Sequence, residues 1–309
     1  MSAVRIVLTG GTGVIGRAAV PSLLAAGHDV RLVTRSARAD AVAHQLGVRS
    51  VRGNVLDLDS LEAAFAGADA VVNLASHVPV GHSAFLASAW RRQDLLRTAG
   101  VRHVVEAARR AGVRRVVQEG ASYLYADQGD DWITEQSPLE ITAMTEPAAV
   151  GESLVQDFSC GSRTGVVLRF GTIVGDDPQT RYWLRAVQAG RRIGMGHPEG
   201  WSHVVHTDDL GEIVRCALHA PSGVYNVGAE PVQRHELVQG YADAMGVESR
   251  SFIGPVGRWW IGPRFEPQAR SLRVCSDHFA SMTGYQPHRP KFDAGWLDAA
   301  LQRCTSASH

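Results

Sequence analysis

The sequence is poor in cysteine, balanced in charge and without a long apolar run. Its 309 residues include four cysteines, and no two of them have the short spacing of a zinc site or a disulfide framework. Lys plus Arg and Asp plus Glu number 31 each, so no net field attracts nucleic acid or an anionic membrane. No apolar stretch approaches the roughly 20 residues that cross a bilayer. We therefore expect no metal site, no nucleic-acid partner and no membrane contact.

The N-terminus also lacks the charged and apolar regions of a signal peptide, because Met1 leads directly into a short apolar run at 4–8. Together with the scattered cysteines, this predicts a cytoplasmic protein. Hydrophobic residues make up 45% and charged residues 20% of the chain, as in ordinary globular enzymes. The length is compatible with one large α/β domain, or with a cofactor domain and a smaller cap.

Apolar, β-branched runs alternate with helical segments over the first two-thirds of the chain. Strands are predicted at 4–8, 30–34, 50–52, 70–75, 115–121 and 165–170. Helices are predicted at 15–26, 60–66, 85–111 and 147–158, the third as one long helix. Because strands that are apolar throughout are buried on both faces, the pattern indicates an α/β fold with a Rossmann-like, doubly wound parallel sheet.

The regularity is lost after Gly175, where the chain becomes rich in Trp, Pro, Gly and His. Short elements are still predicted, such as a strand at 224–227 and a helix at 235–244. We interpret 176–309 mainly as a smaller substrate-binding cap, interleaved with the last part of the sheet domain. Residues 1–175 are then the nucleotide-binding domain.

A glycine-rich turn joins the first predicted strand to the first helix, with the sequence TGGTGVIG at 9–16. Glycines allow a tight turn and a close approach of the backbone to a pyrophosphate, and the helix N-terminus presents free N–H groups to the phosphates. The position of this turn, between strand and helix, predicts a dinucleotide site. The predicted contacts are Gly10, Thr12, Gly13, Val14, Ile15 and Gly16.

The end of the second strand distinguishes the two nicotinamide dinucleotides. A site for NAD usually has an acid there that binds the ribose hydroxyls, but this strand ends in Thr34-Arg35-Ser36. Arg35 can pair with a 2′-phosphate, with Ser36 or Arg38 as helpers, which favours NADPH (NADP) as cofactor. The alternative is that Arg35 only stacks on the adenine.

These features together resemble the extended short-chain dehydrogenase/reductase family. The motifs match in order, namely TGxxGxxG at 9–16, the adenine-flanking segment at 53–57, NxA at 73–76, VYG at 124–126, LRP at 168–171, IHVDD at 205–209 and GYxP at 284–287. The resemblance implies the same fold and a nicotinamide cofactor. It adds as cofactor contacts Asn54, Val55, Leu74, Ala75, Ser76, Phe170, Gly171, Thr172 and Ile173.

The sequence departs from that family at the catalytic positions. Most members carry a Ser or Thr, a Tyr and Lys in YxxxK, and an Asn on a helix. Alignment on the matching motifs assigns these positions to Ala121, Met144, Ala148 and Arg97, respectively. The usual tyrosine gives the carbonyl oxygen its proton, which Met and Ala cannot do.

Three sources of the missing proton stay open. The substrate can supply it from a phenol beside the carbonyl, as aromatic polyketides can. Another side chain can act, with Ser122 and His203 as the candidate catalytic residues and Tyr123 and Tyr125 as further ones. In the third case the protein binds NADP(H) as a sensor and catalyses nothing.

Aromatic residues are frequent in the regions where this fold forms its substrate pocket. Flat aromatic walls stack on polycyclic substrates, and we expect substrate contacts from His77, Trp90, Tyr123, Trp132, Trp183 and Trp201. Trp259 and Trp260 are expected to serve in packing or in an oligomer contact. The long helix at 85–111 is the element through which relatives dimerise, so a monomer or a homodimer is expected.

The sequence thus predicts an NADPH-dependent ketoreductase that reduces a carbonyl of a hydrophobic aromatic, polyketide-type metabolite, with a proton from the substrate. It resembles the ketoreductases of aromatic-polyketide antibiotic pathways. The alternatives are a nucleotide-sugar epimerase or dehydratase, which the loss of Tyr and Lys argues against, and a non-catalytic NADP(H)-binding sensor.

Overall fold

A computed structural model describes residues 3–248, 252–254 and 265–306. Its strands are β1 (Arg5–Thr9), β2 (Asp29–Thr34), β3 (Arg49–Arg52), β4 (Ala70–Asn73), β5 (Arg115–Ala121), β6 (Thr164–Phe170), β7 (Thr172–Val174), β8 (Trp201–Ser202), β9 (Val204–His206), β10 (Gly223–Val227) and β11 (Val232–Gln233). Its α-helices are α1 (Val14–Ala25), α2 (Ala37–Gln45), α3 (Leu58–Phe65), α4 (Ala87–Leu95), α5 (Val101–Arg110), α6 (Glu146–Phe158), α7 (Pro178–Gln188), α8 (Leu210–Ala217), α9 (Arg234–Ala244), α10 (Glu266–Ala269), α11 (Asp277–Thr283) and α12 (Asp298–Ser306).

Seven parallel strands form the main sheet, in the order β10-β6-β5-β4-β1-β2-β3. The order reverses direction at β1, so the carboxyl ends of β1 and β4 flank a crevice, as in doubly wound folds. The predicted Rossmann-like α/β fold is confirmed.

Both faces of this sheet are covered by helices because neighbouring strand residues point to opposite sides. Ile6 and Leu8 of β1 pack in one core with helices α1, α2 and α8. Val7 packs in a second core with α3, α5 and α6. The fully apolar strands of the sequence therefore belong to a sheet that is buried on both faces, as predicted.

The prediction of one long helix at 85–111 is wrong at the start of the helix and in its middle. Residues Gly81–Phe85 form a separate 3-10 turn, and the helix begins at Ala87. Between α4 and α5 the backbone makes a π turn over Leu96–Gly100, and it keeps helical dihedrals on both sides of that turn. π turns inside helices are frequent at functional sites.

Helix α2 was not predicted at all. It buries a single residue, Ala43, so the apolar periodicity on which the prediction depended is absent. Its capping signal is present, because the Ser36 hydroxyl accepts a hydrogen bond from the Ala39 amide at 3.3 Å.

Residues beyond 175 divide between the sheet and a smaller layer. Helix α8 packs on α1 and strand β10 pairs with β6, so both belong to the main sheet. Helices α7, α9 and α12 form another core around Leu184, Tyr241 and Trp296. This third core is the candidate for the predicted cap, and both the cap and its boundary at 175 stay predictions.

Among the described residues, no helix is long and apolar enough to cross a membrane, and no group of His, Cys, Asp and Glu can hold a metal ion. The four cysteines all lie within the described ranges, and they form no disulfide with one another. Trp259 and Trp260 lie outside the described residues.

Candidate functional site

The turn between β1 and α1 is built for close packing. Gly10 has φ +71°, and a Cβ added there would lie 2.3 Å from the carbonyl oxygen of Leu74 at the end of β4. A Cβ on Gly16 would lie 2.5 Å from the Gly10 oxygen. Gly13 caps α1 without a side-chain hydrogen bond, and the first turn of the helix carries no acid. The free amides and the helix dipole fit the pyrophosphate of a dinucleotide.

A cavity of about 840 Å³ opens at the carboxyl ends of the central strands. It runs from the glycine turn and the end of β2, past β4 and β5, to the cap residues Trp183 and Met195. Fifteen of the sixteen predicted cofactor contacts line it, namely Gly10, Thr12, Gly13, Val14, Ile15, Arg35, Asn54, Val55, Leu74, Ala75, Ser76, Phe170, Gly171, Thr172 and Ile173. The other, Gly16, lets the helix pack against the turn.

Basic side chains converge where the cavity passes the end of β2. Arg35 and Arg92, which comes from α4, both line it, and neither forms an ion pair with a described carboxylate. Burial lowers the pKa of Arg35, and the positive charge of Arg92 lowers it further. The nearest acid in sequence, Asp40, is instead hydrogen-bonded to Thr34 (2.6 Å) and paired with Arg52 (3.2 Å). Two cations with no anion between them favour a negatively charged ligand.

Sequence reasoning missed Arg92, because the pair Arg91–Arg92 has the composition of a solvated helix face. Helical spacing gave no signal for it either, because Arg92 is two residues from Trp90 and one from Gln93, and such spacings do not place side chains on one helix face.

The opposite end of the cavity holds the four positions at which the family's catalytic residues were expected. Ala121, Met144, Ala148 and Arg97 all line it. The Arg97 Nη2 donates a hydrogen bond of 2.9 Å to Glu119 Oε1, two residues before Ala121 on β5. This end therefore contains an ion pair where the usual tyrosine and lysine are missing.

The structure separates the candidate proton donors. The Ser122 hydroxyl is buried, lines neither cavity and has no partner among the described residues. The Tyr125 hydroxyl is also buried and donates to Asn226 Oδ1 at 2.7 Å. Tyr123 does line the cavity, and its hydroxyl shares a hydrogen bond of 2.6 Å with Thr172 Oγ1. Burial raises the pKa of Tyr123, which leaves it protonated.

His203 lies in a second, small cavity of about 70 Å³ beside the first. The two cavities share several walls, among them Tyr123, Thr172 and Trp183. Burial lowers the pKa of His203 to about 3, so its imidazole is neutral near pH 7 and has no imidazolium proton to give. Its position and charge state both argue against an acid role.

Most of the predicted substrate residues line one of the two cavities. His77, Trp90, Tyr123 and Trp183 line the large cavity, and Trp201 lines the small one. Trp132 lies outside both, about half exposed, with the guanidinium of Arg273 4.3 Å from its ring centre. Arg273 also covers Trp201 at 4.6 Å, so cation–π stacking holds Trp132 on the outer wall.

Comparison with known proteins agrees with this geometry. The profile of the NAD dependent epimerase/dehydratase family matches residues 6–228, from the first strand of the sheet to the last. The chain belongs to this family. Family membership, the glycine turn and the shape of the cavity together support a nicotinamide nucleotide as the cofactor of this epimerase/dehydratase-family protein.

Two relatives of known activity cover most of this family member. The 3-diazoavenalumate denitrifying reductase of a Streptomyces species is 28% identical over 307 residues, covering 94% of this chain and 98% of the relative. A 4-hydroxy-2-methyl-3-oxo-4-farnesyl-3,4-dihydroquinoline-1-oxide ketoreductase of Stigmatella aurantiaca is 30% identical over 259 residues, covering 81% and 71%. The solved structure of MoeE5 with UDP-glucuronic acid and NAD has a TM-score of 0.76 at 22% identity, covering 99% and 100%. The last comparison shows the shared fold alone.

Proposed function

We propose that this protein is an NADPH-dependent ketoreductase that reduces a carbonyl of a hydrophobic, aromatic, polyketide-type small molecule. The observation that carries the proposal is the contrast within one cavity. Fifteen of the sixteen predicted dinucleotide contacts line it, whereas Ala121, Met144 and Ala148 can neither donate nor accept a proton.

The choice of NADPH follows from Arg35 and Arg92. A 2′-phosphate carries close to two negative charges, and guanidinium groups bind phosphate oxygens through paired hydrogen bonds. The two arginines line one part of the cavity without a described carboxylate partner, so a phosphate there relieves their mutual repulsion. An NAD site would have an acid at the end of β2, where Arg35 stands.

The chemistry requires one hydride and one proton. Reduced nicotinamide, when bound, supplies the hydride that forms the new C–H bond while the carbonyl π electrons move onto oxygen. A phenol hydroxyl beside that carbonyl then passes its proton to the oxygen. The protein contributes position and an apolar enclosure, with Trp90 and Trp183 as flat walls beside Tyr123.

A second acceptor is favoured by the same lack of a proton donor. A hydride that replaces the diazo group of an aryl diazonium ion forms a C–H bond, while the C–N electrons leave with N₂, so no proton is required. The denitrifying reductase that resembles this chain is named for a diazo substrate. Reduction of an aryl diazo group is therefore our second candidate function.

The deciding experiment follows NADPH consumption with three compounds, namely 8-hydroxy-1-tetralone, its methyl ether and an aryl diazonium salt, each corrected for the rate without protein. We expect the hydroxyketone to react and the ether to react at least about tenfold more slowly, because only the first carries the proton. Release of N₂ with the diazonium salt alone would support the second candidate. NADPH binding with no turnover of any compound would favour a sensor.

Tyr123→Phe tests the one candidate proton donor named from the sequence that lines the large cavity. If the substrate supplies the proton, this variant keeps most of its turnover of the hydroxyketone, within about threefold. A loss of about a hundredfold or more, with NADPH affinity unchanged, would instead assign the proton to Tyr123.

A further inference from the structure

An ion pair stands at the reaction end of the large cavity, between Arg97 of the π turn and Glu119 of β5. The Nη2–Oε1 distance is 2.9 Å, and the two side chains are 17% and 9% exposed. Both residues line the cavity together with Ala121, Met144 and Ala148. Water screens this pair less than it screens a surface ion pair, and polar atoms of the pair that have no hydrogen-bond partner cost free energy.

The fold fixes both members of the pair. The π turn that carries Arg97 packs tightly on α6, since a Cβ on Gly151 would lie 2.7 Å from the Arg97 carbonyl oxygen. On the sheet, Asn73 Nδ2 donates to Gln118 Oε1 (2.7 Å), and Gln118 Nε2 donates to the Glu119 carbonyl oxygen (2.7 Å). This chain of hydrogen bonds ties the Glu119 backbone to the end of β4.

Hydrogen-bonding capacity is left over in the pair. Arg97 Nε and Glu119 Oε2 are buried and have no partner among the described residues. Arg97 Nη1 also forms no hydrogen bond within the described part of the chain, and it is not one of the buried atoms. The pair therefore has donors and an acceptor to offer to a further group.

The neighbouring charges do not use this capacity. Glu152, which lies below Gly120, is occupied by Arg169 through hydrogen bonds of 2.7 and 3.0 Å. Burial raises the pKa of Glu152, whereas Arg169 and the more distant charge of Arg97 lower it. Arg169 in turn covers the ring of Tyr125 at 4.8 Å. Glu152 and Arg169 pair with each other, although Arg169 Nη1 has no partner among the described residues. Of these two ion pairs, Arg97 with Glu119 is the one that lines the cavity.

The order of sites along the cavity indicates what lies against this pair. Arg35 and Arg92 mark the adenosine end, the glycine turn takes the pyrophosphate, and the cavity continues to Gly120 and Ala121. The second nucleoside of a dinucleotide then lies at the reaction end. Its ribose carries two neighbouring hydroxyls, which need both hydrogen-bond donors and acceptors.

We propose that the Arg97–Glu119 pair binds the hydroxyls of the nicotinamide ribose and so positions the nicotinamide for hydride transfer. Arg97 donates to a ribose oxygen and Glu119 accepts from a ribose hydroxyl. Arg97 and Glu119 are positioning residues rather than proton donors. This inference rests on the cofactor proposed above.

The test compares NADPH with 2′,5′-ADP, which keeps the adenosine and its 2′-phosphate but lacks the nicotinamide half. For Arg97→Gln we expect NADPH to bind about tenfold more weakly, as for the loss of charged hydrogen bonds, while the fragment binds within about twofold of wild type. Arg97→Lys keeps the positive charge, so its NADPH affinity should fall between those of the wild type and Arg97→Gln. The control is Arg102→Gln, which changes an exposed residue of α5, the helix that follows the π turn.

Glu119→Gln keeps the shape of the side chain and provides a second variant if Arg97→Gln does not fold. It should weaken NADPH binding in the same direction and leave the fragment unaffected. Equal weakening of both ligands, or no weakening of either, would overturn the inference by showing that the pair only supports the fold. A wild-type protein that binds neither ligand would overturn the proposed cofactor instead.

Discussion

The two ends of the large cavity differ in how far their residues match the pattern of the family. At the adenosine and pyrophosphate end, the glycine turn, the amides of α1 and Arg35 are arranged as the family pattern predicts, and steric limits such as the 2.3 Å approach at Gly10 maintain them. At the reaction end, Ala121, Met144 and Ala148 replace the groups that move protons. The nucleotide end thus keeps the family pattern, whereas the residues that move protons in the family are absent from their expected positions. The contrast agrees with the proposed substrate that brings its own proton.

The largest expected effect is at the glycine turn. Gly10→Ala places a Cβ against the β4 backbone and adds the strain of a left-handed φ, so we expect at least a hundredfold loss of NADPH affinity with a lowered Tm. Gly27→Ala is the matched control, because Gly27 has φ +80° but open space around its Cβ position. It should cost about 1 kcal/mol of stability and leave cofactor binding intact. Equal NADPH affinities in the two variants would contradict a steric role for Gly10.

The next effect concerns the choice between the two dinucleotides. Arg92→Gln should weaken NADPH binding about tenfold and leave NADH binding within twofold, since only NADPH carries the 2′-phosphate. Arg91→Gln, at the exposed neighbour that does not line the cavity, should change neither. Titration by nicotinamide fluorescence measures the six affinities, those of the wild type and the two variants for each dinucleotide. If NADH binds more tightly than NADPH to the wild type, the phosphate site is absent and Arg35 has another role.

The smallest effect is a dependence of stability on pH at His203. Its folded pKa of about 3 lies below the usual value near 6.5, so protons favour the unfolded chain, and this stability is lost as pH falls from 6.5 towards 3. Between pH 7 and 5.5 the wild type should lose about 1 kcal/mol that His203→Asn does not lose. Urea unfolding at both pH values measures the difference. Parallel losses in the two proteins would mean that His203 titrates normally when folded, which would reopen an acid role for it.

Turnover by His203→Asn tests whether a group in the small cavity takes part in the reaction. Because the neutral imidazole lies in the small cavity alone, we expect the variant to keep most of the activity towards the hydroxyketone. Loss of turnover with normal NADPH affinity would place a catalytic group outside the reaction end described above.

Local patterns were enough to predict the sheet and the nucleotide end. The apolar strands and the TGGTGVIG turn depend on backbone geometry and burial, which neighbouring residues decide. Helix α2 was missed because it buries little. The π turn at Leu96–Gly100 was missed because its one interrupting residue, Gly100, is a single glycine of the kind that helices tolerate. Trp132 was expected to contact substrate, yet stacking on Arg273 holds it outside both cavities.

The sequence by itself determined the fold and predicted the dinucleotide turn and the replacement of the family's four catalytic residues, because each depends on residue types at a fixed spacing. The tertiary structure decided which charges meet. Arg92 reaches the Arg35 end of the cavity from α4, and Arg97 pairs with Glu119 across 22 residues of sequence. Such pairings depend on how helices pack on the sheet, and no local pattern encodes that packing.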